Sequence, residues 1–306
     1  MAGFDELGVL FASFGTTHDD ARVRCIDAVA DELAAAFPGA SLAQAYTSSI
    51  VRRVLERRRA EDLGAVGRDP VLDVRGALAD LAARGVRRVI VQPGHLMPGH
   101  EYDKLRRQAV ASDDLFDRVR VGEPLLAGTD DVHRLVNIMA QDFPRQEGRA
   151  VVLMGHGTDH FANVVYEAMN FYAGFIGRDD LLIGTVEAEP SLATLLELLA
   201  RRPGIAYVTL APLMLVAGDH AKNDMAGEGS ESWASRLRAA GYEVDVVLRG
   251  LGELPTVRRM YVEKALTAAR ALGARSELAA SEGLTDPAAS MDAGTGVSGD
   301  ATGALR

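Results

Sequence analysis

Three residues in this sequence have types and positions suited to chemistry. His156 lies between two glycines in Gly155-His156-Gly157, Glu187 lies in the run GTVEAEP, and His220 lies in LMLVAGDHAKND. Two imidazoles and a carboxylate form a ligand set for a borderline divalent ion such as Co²⁺, Fe²⁺, Ni²⁺ or Zn²⁺. The same groups could accept protons from a bound ligand near neutral pH. Plainer roles exist for each. A histidine between glycines can cap the next helix, His220 can bond a backbone carbonyl, and Glu187 or its neighbour Glu189 can serve the first turn of the following helix. Position favours chemistry: each of the three falls at or just past the end of an expected parallel strand, where open α/β sheets bind ligands. Glu187 is preferred to Glu189 because it ends the strand itself.

The elements that must position these residues are legible from periodicity. GVLFASFG is a short apolar run ending in a glycine turn, which predicts a buried parallel strand over 7–14. Val23, Ile26, Val29, Ala30 and Leu33 recur at helical spacing, predicting a helix over 17–37 that Pro38-Gly39 stops. A strand over 42–46 and a helix over 49–60 follow. Asp69-Pro70 reads as a cap with proline at the first helical position, opening a helix to about Ala83. Then come a strand over 86–94, a helix over 101–111, a strand over 118–121 and a helix over about 129–143. The second half repeats the alternation: strands over 149–154, 181–186, 205–212 and 243–248, and helices over 161–173, 190–201, 230–240 and 255–273. Strands alternating with helices imply stacked βαβ units and parallel sheets.

The two halves resemble each other. LFASFGTTH (10–18) aligns with VLMGHGTDH (152–160), and VIVQPGHLMPGHEYDK (89–104) aligns with VTLAPLMLVAGDHAKN (208–223). Pro93 then falls on Pro212, Gly99 on Gly218, Phe14 on His156 and Glu101 on His220. The expected fold is α/β, two similar lobes facing each other across a cleft, 1–128 and 129–275. The last helix is free to pack back on the first lobe. The run from 276 to 306, rich in Ala, Gly, Ser and Asp, is expected to be a disordered tail. It contains GTGVSG (294–299), a G-x-G-x-x-G string without the strand and helix that a dinucleotide site needs.

Composition narrows the function classes. The chain has 306 residues, 48% of them hydrophobic and 25% charged, with a net charge of −10. These values fit a globular protein of about two domains and disfavour a general nucleic-acid binder. Cys25 is the single cysteine, so no internal disulfide is available. No apolar run reaches the length of a membrane helix, and the acidic N-terminus is unlike a signal peptide. A cytoplasmic location is expected, and a homo-oligomer is left open. G-x-S-x-G, Walker A and H-E-x-x-H motifs do not occur. His18, His100 and His160 read as loop or helix-start residues, Met214 and Met225 as core, and Arg57, Arg58 and Arg59 as a solvated helix face.

The segments SFGTTHDD (13–20), AYTSSIVRRVL (45–55), MGHGTDH (154–160), GTVEAEPSL (184–192), PLMLVAGDHAKNDM (212–225) and GLGELP (250–255) resemble the anaerobic cobalt chelatases of the CbiK type, relatives of the ferrochelatases. The resemblance runs from about Val9 to about Ala268. It implies two α/β lobes around a tetrapyrrole cleft and insertion of Co²⁺ into sirohydrochlorin, a step towards cobalamin. It places the family's metal and catalytic residues on His156, Glu187 and His220. Arg53 matches a basic residue of the family's first lobe, and His95, Glu101, Tyr102 and Lys104 match a histidine loop and the E-Y-x-K after it. Gly94 and His100 stand where the family patterns carry bulkier and acidic residues. Arg53, Lys104 and Lys222 are the candidates for the substrate's carboxylates. Phe14 joins His95 and Glu101 as substrate-facing. No organic cofactor is implied, and the metal, Co²⁺ or Fe²⁺, is substrate. Iron would make the protein a sirohaem-forming ferrochelatase, and a carrier of metal or tetrapyrrole without turnover is the alternative from another class.

Overall fold

The computed structural model describes residues 6–61 and 71–281. Its first sheet comprises β1 (Leu7–Ser13), β2 (Ser41–Tyr46), β3 (Arg88–Pro93) and β4 (Arg118–Val121), in the order β2-β1-β3-β4. The second comprises β5 (Arg149–Gly155), β6 (Leu181–Thr185), β7 (Tyr207–Pro212) and β8 (Glu243–Val246), in the order β6-β5-β7-β8. Every pairing is parallel. The two orders are the same path repeated. The register repeats as well: Ala12 lies opposite Pro93 across β1 and β3, and Met154 lies opposite Pro212 across β5 and β7. That is the correspondence read from the sequence.

The connecting helices are α1 (19–36), α2 (Ser49–Ala60), α3 (Val74–Ala83), α4 (His100–Val110), α5 (Thr129–Asp142), α6 (Val164–Phe175), α7 (Leu192–Ala200), α8 (Trp233–Ala239) and α9 (Pro255–Ser281). Several have side-chain caps. Ser48 accepts from the Val51 amide, Asp73 from Gly76, Ser191 from Thr194 and Ser232 from Ser235. The Asp73 cap moves the start of α3 to Val74, later than Asp69-Pro70 suggested; that dipeptide lies outside the described residues. Likewise, α9 runs past its expected end at 273, to Ser281, while the rest of the expected tail and GTGVSG lie outside them. No helix among the described residues is long and apolar enough to cross a membrane.

Alternation along the central strands divides the interior. Leu7, Val9 and Phe11 of β1 face one core, and Leu10 and Ala12 face another, against Val74, Ala77, Leu78 and Leu81 of α3. On β5, Val151 and Leu153 point inward, while Ala150, Val152 and Met154 meet Leu192, Leu195 and Leu199 of α7. The inward faces of both sheets belong to one continuous core with α1, α5, α6 and α9. Met225 is buried in the second lobe's outer core, and Met214 packs against it, as expected. The last helix returns to the first lobe. The Tyr261 hydroxyl donates to the Gly94 carbonyl at 3.1 Å, Arg118 donates to the Leu272 carbonyl, and Arg258 pairs with Glu32.

Candidate metal centre

The centre is built on the carboxyl ends of β5, β6 and β7. Backbone bonds continue the β5–β6 ladder beyond the strands: Val186 N donates to Gly155 O at 3.1 Å, and Glu187 N donates to His156 O at 2.9 Å. His156 and Glu187 are thereby fixed as neighbours. Glycine is required on both sides of His156 for steric reasons. A Cβ on Gly155 would lie 2.4 Å from the Tyr166 ring, which packs beneath the turn. Gly157 has φ +86°, and a Cβ there would lie 2.9 Å from the Ala188 nitrogen and from Thr185. The Tyr166 hydroxyl accepts from Gly157 N, and burial holds its phenol up at about 12. His220 arrives from the loop after β7, in a helical turn over 219–225 whose 221–225 part is π-helical, an irregularity often found at functional sites.

The donor atoms of His156, Glu187 and His220 lie within 4.8 Å of one another. The two imidazoles stand edge to face, their centroids 4.7 Å apart at 89°. His156 Nδ1 is 2.9 Å from the Gly157 carbonyl and 3.6 Å from a Glu187 oxygen, and His220 Nδ1 is 2.6 Å from an Asp224 carboxylate oxygen. Carbonyls and carboxylates only accept, so these contacts assign the proton to Nδ1 in both rings. In this tautomer Nε2 carries the free lone pair of each ring, and His220 has the carboxylate partner typical of metal-binding histidines. The side chains of His156, Glu187 and His220 are 42%, 55% and 37% exposed, so an ion can enter and leave.

Glu189, the rival of Glu187, is used elsewhere. It accepts from the Ser191 amide and the Thr194 hydroxyl, contacts that hold its carboxyl below its ordinary range. Asp224 was missed in the sequence; its signal was the i, i+4 spacing from His220.

Loops of the first lobe close around the centre from two directions. Lys222, beside His220, donates to Asp20 at 3.1 Å and meets His18 at 3.3 Å. On the other side, His100 is 2.9 Å from Asp159 and His160 is 3.7 Å from Asp103. His160 Nδ1 also accepts from Ala162 N, capping the turn over Phe161–Asn163. His18 and His100 stand at the starts of α1 and α4.

The remaining candidates sit at the mouth of the first sheet. Phe14 is half-exposed, and its carbonyl accepts from Ser48 N, the counterpart of the His156–Glu187 bond. His95 Nε2 is 3.3 Å from the Thr47 hydroxyl, and its Nδ1 is buried without a hydrogen-bond partner. Burial, then the Lys104 charge, push this imidazole down to about 4, so it is neutral at pH 7. Lys104 donates to Thr47 O at 2.7 Å and pairs with Glu101. The ammonium groups of Lys104 and Lys222 are therefore engaged, while Arg53 is exposed with its Nε on Ser49 O. Arg58 is more than a solvated residue: it donates to Thr17 O and ties α2 to the loop after β1.

A family model described as cobalt chelatase (CbiK) matches residues 7–270. The chain is 38% identical over 255 residues to the sirohydrochlorin cobaltochelatase of Salmonella typhimurium, covering 83% of this chain and 93% of that one. It is 37% identical over 254 residues to the sirohydrochlorin cobaltochelatase CbiKC of Nitratidesulfovibrio vulgaris, covering 80% and 84%. Among solved structures it is similar to SirB from Bacillus subtilis with Fe³⁺, at TM-score 0.58 and 15% identity over 89% of this chain and 97% of that one. The sirohydrochlorin chelatase SirB from Bacillus subtilis subspecies spizizenii in complex with cobalt gives TM-score 0.56 and 14% identity, covering 88% and 97%. At such identities the two structural likenesses establish the fold alone.

Proposed function

This chain belongs to the cobalt chelatase (CbiK) family, and from that premise we propose that it inserts Co²⁺ into sirohydrochlorin, with His156, Glu187 and His220 as the metal-holding and catalytic residues. The observation that carries the assignment of residues is the convergence of three donor groups within 4.8 Å at an exposed strand-end site. Insertion exchanges one divalent ion for the two pyrrole N–H protons of the free macrocycle, so ion and protons must pass through the same place. His156 and His220 hold the incoming ion through Nε2, and Glu187 completes the set. A site of two imidazoles and one carboxylate is open and binds weakly enough to release the ion, unlike a closed four-cysteine site. As the ring nitrogens replace protein ligands, one of the three groups accepts the departing protons one at a time, passing the first to solvent before it takes the second.

The first lobe supplies the opposite wall of the cleft. Phe14 offers a flat apolar face, and neutral His95 and Glu101 offer polar contacts. Arg53, exposed at the rim, is the candidate best placed for a substrate carboxylate; Lys104 and Lys222 would have to leave Glu101 and Asp20 to serve. A cleft that fits a bent macrocycle better than a flat one favours the reacting form.

The test is an anaerobic absorbance assay with sirohydrochlorin, Co²⁺ and catalytic amounts of protein, run beside His220→Ala. Multiple turnovers by the wild type and a loss of at least about 100-fold in the variant are expected, as for removal of a group that holds the metal. A spectral shift limited to one event per protein molecule identifies a carrier. Turnover that survives His220→Ala overturns the residue assignment.

A further inference from the structure

We propose that the outer face of α6 is the two-fold interface of a homodimer. Phe161, Val164, Ala168, Phe171 and Phe175 follow one another at spacings of three and four, the seam pattern of paired helices, and all are exposed. Phe161 is 86% exposed, and Phe171 and Phe175 are each 77% exposed. The helix already buries a different stripe, Val165, Tyr166, Met169 and Ala173, in the shared core. In the single chain the outer stripe is left largely to solvent, although the Phe175 ring stacks on Tyr172 at 6.1 Å.

Size, shape and charge choose the occupant. At about 200 Å² per phenylalanine, the three rings and Val164 expose roughly 500 Å² of apolar surface. That is more than half of the ~800 Å² each partner contributes to a stable interface. The stripe is self-complementary. Ala168 lies midway between Phe161 and Phe175, so two copies related by a two-fold axis through Ala168 cross at their smallest residue. Each Phe161 then meets the partner's Phe175, as an isologous contact requires. The run 161–177 contains no Lys or Arg and a single acid, Glu167, at the rim of the stripe. A membrane-surface helix would carry basic residues beside its apolar face, and this chain has a net charge of −10. A second copy of the same apolar stripe is the partner that fits.

Sedimentation analysis of the full chain at tens of micromolar tests the proposal, with the Phe171→Glu/Phe175→Glu double variant beside it. A dimeric wild type is expected, with a dissociation constant raised at least about 100-fold in the variant and its circular dichroism unchanged. Ala168→Cys supplies an independent readout, because Cys25 is buried and does not compete. At the crossing point, this cysteine should give a disulfide-linked dimer under mild oxidation, whereas Glu197→Cys on α7 should not. A monomeric wild type, a dimer that survives the double variant, or an Ala168→Cys protein that fails to cross-link overturns the proposal.

Discussion

Glu187 and Glu189 are two residues apart, yet their surroundings give them different roles. The second is held by the first turn of α7 through Ser191 and Thr194, and the first stands beside His156. The sequence favoured Glu187 as the residue ending the strand; in the structure β6 ends at Thr185, and the bond from Glu187 N to His156 O is what seats Glu187 beside the histidine. Asp224 was missed, because its i, i+4 spacing from His220 has meaning only once the turn that carries both is known to be helical. At 2.6 Å from His220 Nδ1, it occupies that nitrogen and leaves Nε2 as the one available to an ion. Replacing it with alanine should leave the fold intact, since the pair is part-exposed, but weaken Co²⁺ binding by 10- to 100-fold. Calorimetric titration with Co²⁺ checks this, and Asp224→Asn, whose amide oxygen still accepts from Nδ1–H, should recover part of the affinity. An affinity equal to wild type in Asp224→Ala would remove the residue from the centre.

At the scale of elements, the apolar strands and the internal repeat were readable because parallel strands buried on both faces are unbroken hydrophobic runs. The register of Pro93 and Pro212 came out of sequence alignment alone. Boundaries set by caps were less readable. Asp73 competes with Asp69-Pro70 for the start of α3, and only the bond to Gly76 decides between them. The glycine turn of β5 makes a prediction at this scale. A Cβ on Gly157 would approach Ala188 N and Thr185 at 2.9 Å, and the residue has positive φ. Gly157→Ala should therefore push the 185–188 loop away from His156, at a cost of roughly 1–3 kcal/mol. The expected result is a thermal midpoint lowered by several degrees together with a loss of turnover well beyond what that destabilisation explains. Differential scanning calorimetry and the chelatase assay, run on the same preparation, separate the two effects. Unchanged turnover would mean that the ladder from His156 to Glu187 does not set the site.

At the scale of the whole molecule, two lobes were legible and their shared interior was not. A hydrophobic pattern shows which positions of β1 alternate, but not that Val9 and Phe11 face the same core as Val151 and Leu153. Nor does it show that α9 crosses back to place Tyr261 under Gly94. From this shared interior the halves are expected to unfold as one cooperative body, despite a chain length at which separate unfolding is common. Trp233, the single tryptophan, is buried in the outer core of the second lobe and reports on that lobe by fluorescence. Leu78 is fully buried in the outer core of the first lobe. Leu78→Ala should cost about 2–5 kcal/mol where it stands. With the lobes coupled through the inner core, the Trp233 transition in denaturant should move to lower concentration by the same free energy, although the two residues belong to different cores. A Trp233 midpoint that stays in place while circular dichroism shows a second, earlier transition would mean that the lobes unfold independently. The metal centre would then be carried by a second lobe stable without the first, and the first lobe's contacts through Lys222 and His160 would be docking contacts between separately stable units. A common shift means instead that the strands leading to His156, Glu187 and His220 unfold together with the first lobe, because both sheets rest on the same interior.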